Sequence, residues 1–393
     1  LSYDDSVIEL EHLFKQAVKR QLISDVEISS YLSSGVDTGS ISAVASQYIN
    51  NLKTFTCGFD NTSATGIEIF FDETKQAKNI SKYIGTNHHE LIINSKDMEN
   101  SLDKLVYHLE EPRVGQSYPN YLISNHVSKY SKVVLSGTGG DELFAGYPWR
   151  YLDNINTSSK EDFLSKYYLK WQRLVNNSTL KKLFSPIQQN TKNVWTKNIF
   201  SNIFNKKNKD TLNFSKESIV NDCLYFESKT FLQGLLTVED KLSMANSLEV
   251  RVPFLDNDLV DFAMKCPLKY KINLKKLIND FDENTLGNKK DIYFSRTNNG
   301  KLILRDVLSK FVTKEVAFSK KQGFSGPDSS WFKSDSYDFL NDKIMSPNSL
   351  IFNYMDRAIV KNLFSEHLKG KSNNRLFLWS LLYFETYLNI FKN

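Results

Sequence analysis

Two short segments rich in Gly, Ser and Asp each follow an apolar segment, and they contain the residue types best suited to chemistry. The first reads SSGVDTGS over residues 33–40, and the second reads SGTGGDEL over residues 136–143. A Ser/Gly turn at a helix start exposes unpaired backbone N–H groups and adds hydroxyl donors, which suits a phosphate or pyrophosphate. Neither segment has the Gly-Lys-Ser/Thr ending of a Walker A loop. For the first segment alone, an anion site and an ordinary capped turn are both open interpretations.

Each of these segments also contains an aspartate, Asp37 or Asp141. A carboxylate beside bound phosphates would repel them unless a cation lies between the two. Mg²⁺ prefers one or two carboxylates together with phosphate oxygens, so the two aspartates predict a shared Mg²⁺ site over a triphosphate. The neighbouring Glu142 is expected to support a helix start rather than to react.

The order of predicted elements indicates an α/β fold with a parallel sheet and helices on both of its faces. Apolar segments with strand patterns alternate with helical repeats such as Ala77, Ile80 and Ile84. In such sheets ligands bind outside the carboxyl ends of the strands, where the strand order reverses. We therefore expect residues 33–38, 57–60 and 136–142 to lie along one edge. The predicted strands are VEISSYL (26–32), KTFTCGF (53–59), HHELIIN (88–94) and KVVLSG (132–137).

Length and composition are those of a globular protein of about two domains. The chain has 393 residues, of which 40% are hydrophobic. It has no apolar run of the ~18 residues that a membrane helix needs and no secretory signal, so we expect a cytoplasmic protein. Three widely spaced cysteines favour reduced thiols over disulfides or a zinc site. Because the first residue is Leu1 rather than Met, the sequence is expected to be part of a longer protein.

Three regions are predicted along the chain. Residues 1–152 form a nucleotide-binding α/β core, residues 153–217 a variable polar insert, and residues 218–393 a mainly helical region. The net charge is +5, and the Lys-rich stretch 181–216 accounts for more than all of it. We interpret this stretch as a solvated insert, with a polyanion-binding patch as the alternative.

Seven segments spread along the chain form one ordered pattern: YLSSGVDTGSISAVAS, KTFTCGFD, GTNHHEL, LSGTGGDELFAGY, DKLSMANSLEVRVPFLD, KKQGFS and NNRLFLWSLLYFETYL. In the same order, they resemble the ATP-dependent synthetase domain of glutamine-hydrolysing asparagine synthetases. The resemblance covers nearly the whole chain, and residues 155–215 are the main part outside it. It implies a fold of the ATP-pyrophosphatase (adenine nucleotide alpha hydrolase-like) type and a carbon–nitrogen ligase that uses ATP and Mg²⁺. Such an enzyme adenylates a carboxylate, with aspartate as the best guess, releases pyrophosphate, and then transfers ammonia to form an amide.

The resemblance also assigns roles to particular residues. Asp37 and Asp141 would hold Mg²⁺, and Lys321 would be the active-site lysine that stabilises negative charge on the reacting phosphate. Thr138 falls where the family places an acid near the incoming amine. The nucleotide and its pyrophosphate would contact Leu32, Ser33, Ser34, Gly35, Val36, Asp37, Thr38, Cys57, Ser136 and Gly137.

Three departures from the family pattern leave alternatives open. Thr138 is too weak a base to replace the family acid, and Ser34 replaces a glycine. The glutaminase domain of the family is absent from this sequence, so ammonia would come free or from a missing domain or partner. The alternatives are an amide formed on another carboxylate (a sugar uronic acid, a peptide macrocycle or a β-lactam), a tRNA-modifying ATP pyrophosphatase, and a member that binds nucleotide without turnover. The resemblance also leaves a homodimer open.

Several other residues of reactive types are expected to be structural. His88 and His89 are adjacent on a predicted strand and point to opposite faces, so they are not expected to share a metal ion. Cys57 has no basic neighbour in sequence and is expected to be a small buried residue. SLEVRVPFLD (247–256) is expected to be a helix-to-loop segment, in which Arg251 is structural rather than a ligand contact.

The lysine pair Lys320 and Lys321 gives a first prediction. If Lys321 neutralises charge at the α-phosphate, Lys321→Ala should lower turnover by about 10²-fold or more while ATP binding changes little. Lys320→Ala is the matched control and should be nearly silent. Steady-state turnover and ATP binding of both variants check this, and equal losses would show that the wrong lysine is assigned.

Overall fold

The structure is a computed structural model that describes residues 1–152, 154–205, 215–274, 300–319 and 325–392. Its centre is a parallel sheet of five strands in the order β3-β2-β1-β4-β5. Strands β2 and β3 lie on one side of β1, and the chain then crosses to the other side of β1 for β4 and β5. The strand order therefore reverses between β1 and β4. The strands are β1 (Ile28–Tyr31), β2 (Lys53–Phe59), β3 (Asn87–Ile93), β4 (Val133–Leu135) and β5 (Glu249–Arg251).

Helices surround the sheet and make up most of the rest of the described chain. Through β4 and the turn after it they are α1 (Tyr3–Gln21), α2 (Val36–Ala45), α3 (Thr74–Ile84), α4 (Ser95–Leu109), α5 (Tyr118–Val127), α6 (Gly140–Leu143) and α7 (Pro148–Leu152). The next are α8 (Lys160–Trp171), α9 (Asn177–Leu183), α10 (Gln188–Thr191), α11 (Thr196–Asn205), α12 (Lys216–Lys229) and α13 (Phe231–Met244). The last are α14 (Asn257–Lys265), α15 (Leu268–Lys271), α16 (Leu302–Leu308), α17 (Lys314–Ala317), α18 (Asp328–Trp331), α19 (Tyr337–Ile344), α20 (Arg357–Leu368) and α21 (Arg375–Phe391).

The α/β prediction is confirmed, and four strands lie within the predicted segments or one residue beyond them. An Asn94–Asp97 capping box fixes the start of helix α4, whose buried apolar residues are Met98, Leu102, Leu105, Val106 and Leu109. Helix α2 begins at Val36, and it ends at Ala45, before Tyr48. The side chain of Tyr48 is half-exposed.

The segment 247–256 differs from its prediction as a helix-to-loop connection. It contains β5, which pairs with β4 through Val250 opposite Val134 and extends the sheet by one strand. A three-residue strand carries too short a pattern to be recognised, and its partner lies more than a hundred residues earlier. Arg251 donates to the backbone carbonyls of Gln21 and Ile23 at 2.7 Å, in agreement with the structural role expected for it.

The described part of the insert 153–217 is helical, and it has a core of its own. Helices α8 and α11 pack Tyr167 and Phe204 against Phe226 of α12, within a larger aromatic cluster. The polar composition predicted a solvated insert, and the prediction took no account of these regularly spaced aromatic residues.

The two adjacent histidines of β3 have separate neighbours. His88 Nδ1 lies 3.1 Å from the Thr54 hydroxyl, and the His89 ring stacks on Phe55.

A second, larger core lies between α4, α5 and the C-terminal helices. It contains Leu105 of α4 and Trp379 of α21, together with Tyr118 at the start of α5. Tyr118 and Trp379 both donate to the buried carboxylate of Asp328, at 2.7 and 2.9 Å. Within the described residues, no helix is both long enough and apolar enough to cross a membrane.

This core gives a second prediction, about stability. Leu105 has no exposed surface, whereas Leu169 of α8 is 63% exposed. Leu105→Ala should lower the free energy of unfolding by about 2–5 kcal/mol, because it removes buried methyl groups and leaves a cavity. Leu169→Ala makes the same chemical change at the surface and should cost no more than about 0.5 kcal/mol. Denaturant unfolding of both variants is the measurement, and similar costs would contradict the assigned core.

Candidate functional site

The first candidate segment links β1 directly to helix α2. The N-cap residue Gly35 has no side chain to cap the helix, and the first N–H groups of a helix have no partner within it. Before the helix, the Ser33 N–H donates to the Thr38 hydroxyl at 2.9 Å, and the Gly35 N–H donates to the Ser33 hydroxyl at 3.0 Å. The Ser34 N–H donates to the Glu73 carboxylate at 2.9 Å. The loop is therefore already folded around its hydroxyls, and it offers a helix N-terminus suited to an anion.

The second candidate segment, after β4, lies against the first. A Cβ added at Gly137 would lie 2.9 Å from the Thr38 side chain, and one at Gly140 would lie 3.1 Å from Asp37 Oδ1. Gly139 has a φ of +103°, which L side chains rarely adopt. Glycines at these positions therefore allow the two loops to touch where the strand order reverses.

The two aspartates meet around one cation, which is the side chain of Lys301. Its Nζ lies 2.5 Å from Asp37 Oδ2 and 2.6 Å from Asp141 Oδ1, and the lysine side chain is only 4% exposed. Burial alone would lower the pKa of Lys301, but the charges of Asp141 and Asp37 outweigh it, and the pKa is raised. The lysine is therefore held in its charged form between the two carboxylates.

The acid pair also fits a metal ion. Asp37 Oδ1 is buried and has no hydrogen-bond partner among the described residues. Two carboxylates carry more negative charge than one ammonium group can neutralise. Oxygen ligands of this kind are those that Mg²⁺ prefers, so the pair fits Mg²⁺ held jointly with a phosphate.

Lys301 was not predicted from the sequence, and no spacing marks it among the many lysines. It precedes α16 and adopts a left-handed backbone conformation with a φ of 58°, while its N–H donates to the Phe144 carbonyl at 3.0 Å. Arg305 of the same helix donates to the carbonyls of Ala317 and Ser319. The predicted Lys321 and its control Lys320 lie outside the described residues.

The Thr138 side chain forms a hydrogen bond with a carboxylate that was not predicted from the sequence. Its hydroxyl donates to Glu239 Oε2 of α13 at 2.8 Å and lies 3.1 Å from the Ser136 hydroxyl. Glu239 is partly buried. Burial raises the pKa of Glu239, and hydrogen bonds from Ser136 and Thr138 oppose that rise. An acid is therefore present beside the loop, although it comes from a helix a hundred residues away.

The other residues predicted to contact the nucleotide lie in different surroundings. Ser136 and Gly137 lie in the loop after β4, as expected. Leu32 is buried and both of its backbone polar groups have partners in β2: its N–H donates to the Phe55 carbonyl at 2.8 Å, and its own carbonyl accepts from Thr56. Cys57 lies within β2, and burial raises the pKa of its thiol. Glu142 is buried and accepts from the Tyr147 hydroxyl at 2.8 Å, which supports a structural role.

Comparison with known proteins connects this geometry to a family. The family model described as asparagine synthase matches residues 9–389, nearly the whole chain. The chain belongs to the asparagine synthase family. Glutamine-hydrolyzing asparagine synthetase 1 of Bacillus subtilis is 27% identical over 405 residues, which cover 97% of this chain and 59% of that protein. A putative asparagine synthetase of Mycobacterium bovis is 26% identical and is covered over 57% of its length, with 98% of this chain matched.

This member of the asparagine synthase family therefore spans less than two thirds of the length of these relatives. A local match reaches 34% identity over 142 residues with a putative asparagine synthetase of Methanocaldococcus jannaschii, covering 35% of this chain and 26% of that one. Among solved structures, an NH₃-dependent NAD synthetase from Campylobacter jejuni covers 60% of this chain and 96% of its own at 12% identity. Its TM-score of 0.28 is too low to carry an argument.

The buried lysine gives a third prediction. Lys301→Met leaves two carboxylates facing each other without their cation, so it should lower the free energy of unfolding by about 3–5 kcal/mol. Lys310→Met is the matched control, because Lys310 forms an ion pair with Glu11 at the surface, and it should cost about 1 kcal/mol or less.

Denaturant unfolding without nucleotide checks both variants. Mg²⁺ should recover part of the stability of Lys301→Met, since a divalent ion can replace the lost charge between the carboxylates. A Lys301→Met variant as stable as Lys310→Met would contradict the described ion pairs.

Proposed function

We propose that this chain is the ATP-dependent part of an amide ligase that adenylates a carboxylate and transfers ammonia to it. One observation carries the proposal: the loops after β1 and β4 touch at the reversal of strand order and bring Asp37 and Asp141 together around one cation. Membership of the asparagine synthase family supports the same chemistry. Aspartate is the first candidate substrate, since the curated relatives are named as asparagine synthetases.

The pyrophosphate of ATP would lie over the N-terminus of α2. The first N–H groups of the helix, which have no partner within it, and the hydroxyls of Ser33 and Thr38 would donate to phosphate oxygens, and the helix dipole favours negative charge there. Attack of the substrate carboxylate on the α-phosphate breaks the bond to the β-phosphate, so negative charge grows on the leaving pyrophosphate. A preorganised donor set at this position stabilises that charge in the transition state.

Cations complete this part of the site. Asp37 and Asp141 would hold Mg²⁺, which would offset phosphate charge. Lys301 keeps the two carboxylates close together before nucleotide binds, and its own charge adds to the positive potential beside the phosphates. Lys321 keeps the role proposed for it from the sequence, next to the α-phosphate.

The acceptor carboxylate is the least constrained part of the proposal. An amide on a different carboxylate is the second candidate, and Thr138 favours it because the family places an acid at that position. Both candidates share adenylation; they differ in the carboxylate that enters and, for a peptide macrocycle or a β-lactam, also in the amine, which is then internal. Ammonia would come from free solution or from a glutaminase part such as the names of the relatives imply.

The fourth prediction tests this function directly. With Mg-ATP and ammonia, aspartate should release pyrophosphate and give AMP and asparagine in equal amounts. Asp37→Asn should lower pyrophosphate release by about 10²-fold or more, because the phosphates lose a metal ligand. Asp25→Asn removes an exposed carboxylate just before β1 and should leave the rate unchanged.

Pyrophosphate release is measured with each member of a panel of carboxylates, which includes uronic acids and peptides with a free carboxyl terminus. Release with another acid but not with aspartate would replace the substrate and keep the chemistry. Silence with every acid, in a folded preparation that binds ATP, would refute the adenylation.

A further inference from the structure

Amide formation requires a proton acceptor, and neither Asp37 nor Asp141 is suited to that role. When an amine attacks an acyl carbon, its nitrogen becomes positive and must lose a proton before the amide is complete. Asp37 and Asp141 are both ion-paired with Lys301. Thr138 has a hydroxyl, which is too weak a base to act alone. The question is therefore which group at this edge of the sheet can take the proton.

Glu239 is a further carboxylate beside the loop that follows β4. It belongs to α13, and its Oε2 accepts from the Thr138 hydroxyl at 2.8 Å, one residue away from the point where Gly137 contacts the loop of Asp37. It is partly exposed, and no cation lies within ion-pair distance of it in the described parts of the chain. Hydroxyls at Ser136 and Thr138 thus connect an unneutralised carboxylate to the loop beside the acid pair.

We infer that Glu239 is the terminal base of amide formation and receives the proton through the Thr138 hydroxyl. The Thr138 hydroxyl already donates its hydrogen to Glu239, and its oxygen keeps a lone pair that can accept a hydrogen from an amine even where Ser136 donates to it. As the C–N bond forms, an amine proton passes to Thr138 Oγ1 and the Thr138 proton passes to Glu239 Oε2. The bond from the acyl carbon to the AMP oxygen breaks, AMP leaves with the electron pair, and Glu239 later releases the proton to solvent.

The surroundings of Glu239 suit this role. Burial and the nearby charge of Glu142 raise its pKa, which makes its carboxylate a stronger base than an exposed one. The titratable groups near it are Glu142 of α6 and Tyr31 of β1, whose own pKa is raised in part by the charge of Glu239. Neither forms a described hydrogen bond with Glu239. This assignment rests on the proposed function, since it needs an acyl-adenylate at the site.

The experiment separates the two half-reactions. Carboxylate-dependent exchange of labelled pyrophosphate into ATP measures the adenylation step. Amide formation with ammonia measures the complete reaction. Glu239→Gln keeps the size of the side chain and an oxygen that can accept from Thr138, but it cannot take a proton. It should lower amide formation by about 10²-fold or more and leave exchange within about threefold of the unaltered protein.

Variants at Thr138 test the relay itself. Thr138→Val removes the hydroxyl and should lose amide formation while keeping exchange, whereas Thr138→Ser keeps the hydroxyl and should retain both. For the unaltered protein, the rate per free ammonia should rise with pH as Glu239 loses its proton. Glu239→Gln should abolish that dependence.

Each outcome decides between the proposals. Exchange by the unaltered protein supports the proposed function whatever the variants do, and its absence with every carboxylate would refute both proposals. Unchanged amide formation in Glu239→Gln would overturn the base assignment alone. Equal losses of exchange and amide formation in Glu239→Gln would also overturn it, because Glu239 would then act in adenylation or in folding.

Discussion

The ion pairs between Lys301 and the two aspartates hold together three parts of the chain that are far apart in sequence. Asp37 is the second residue of helix α2, Asp141 lies in α6 after β4, and Lys301 precedes α16. Two carboxylates forced together without a cation would repel each other, so the contact of the two loops depends on this buried ammonium group. The glycines at 137 and 140 permit the contact sterically, and the lysine makes it electrostatically favourable. The two loops thus form one folded unit at the edge of the sheet where the nucleotide is proposed to bind.

Helix α13 depends on a different set of contacts. It packs against α5, α12 and β5, and β5 extends the sheet beside β4. Because α13 leads directly into β5, the position of the strand fixes the position of the helix, and with it that of Glu239. The Ser136 N–H donates to the Arg251 carbonyl at 2.8 Å, so the end of β5 also holds the loop that carries Thr138. A short strand that looks peripheral therefore sets the distance between Thr138 and Glu239.

The part of the fold that repeats strand and helix could be predicted from the sequence, because local periodicity determines it. The strands β1 to β4 and helices α3 and α4 follow from residues within each segment, and so do the two loops that carry Asp37 and Asp141. Lys301, Glu239 and β5 could not be predicted in this way. Each has its role through contacts with residues a hundred or more positions away, and none carries a local pattern. A lone lysine or glutamate is most often solvated, and only the structure shows where these two lie.

The carboxylates at this edge of the sheet are placed in opposite electrostatic environments. Asp37 and Asp141 form ion pairs with a buried ammonium group, at the place where metal and phosphate are proposed to bind. Glu239 lies against hydroxyls, and burial raises its pKa, which favours the uptake of a proton. Separate environments of this kind allow neighbouring acids to do different chemistry at one pH. The loss of the acid at position 138 is therefore compatible with amide formation, because the loop hydroxyl joins the site to a carboxylate that a helix supplies.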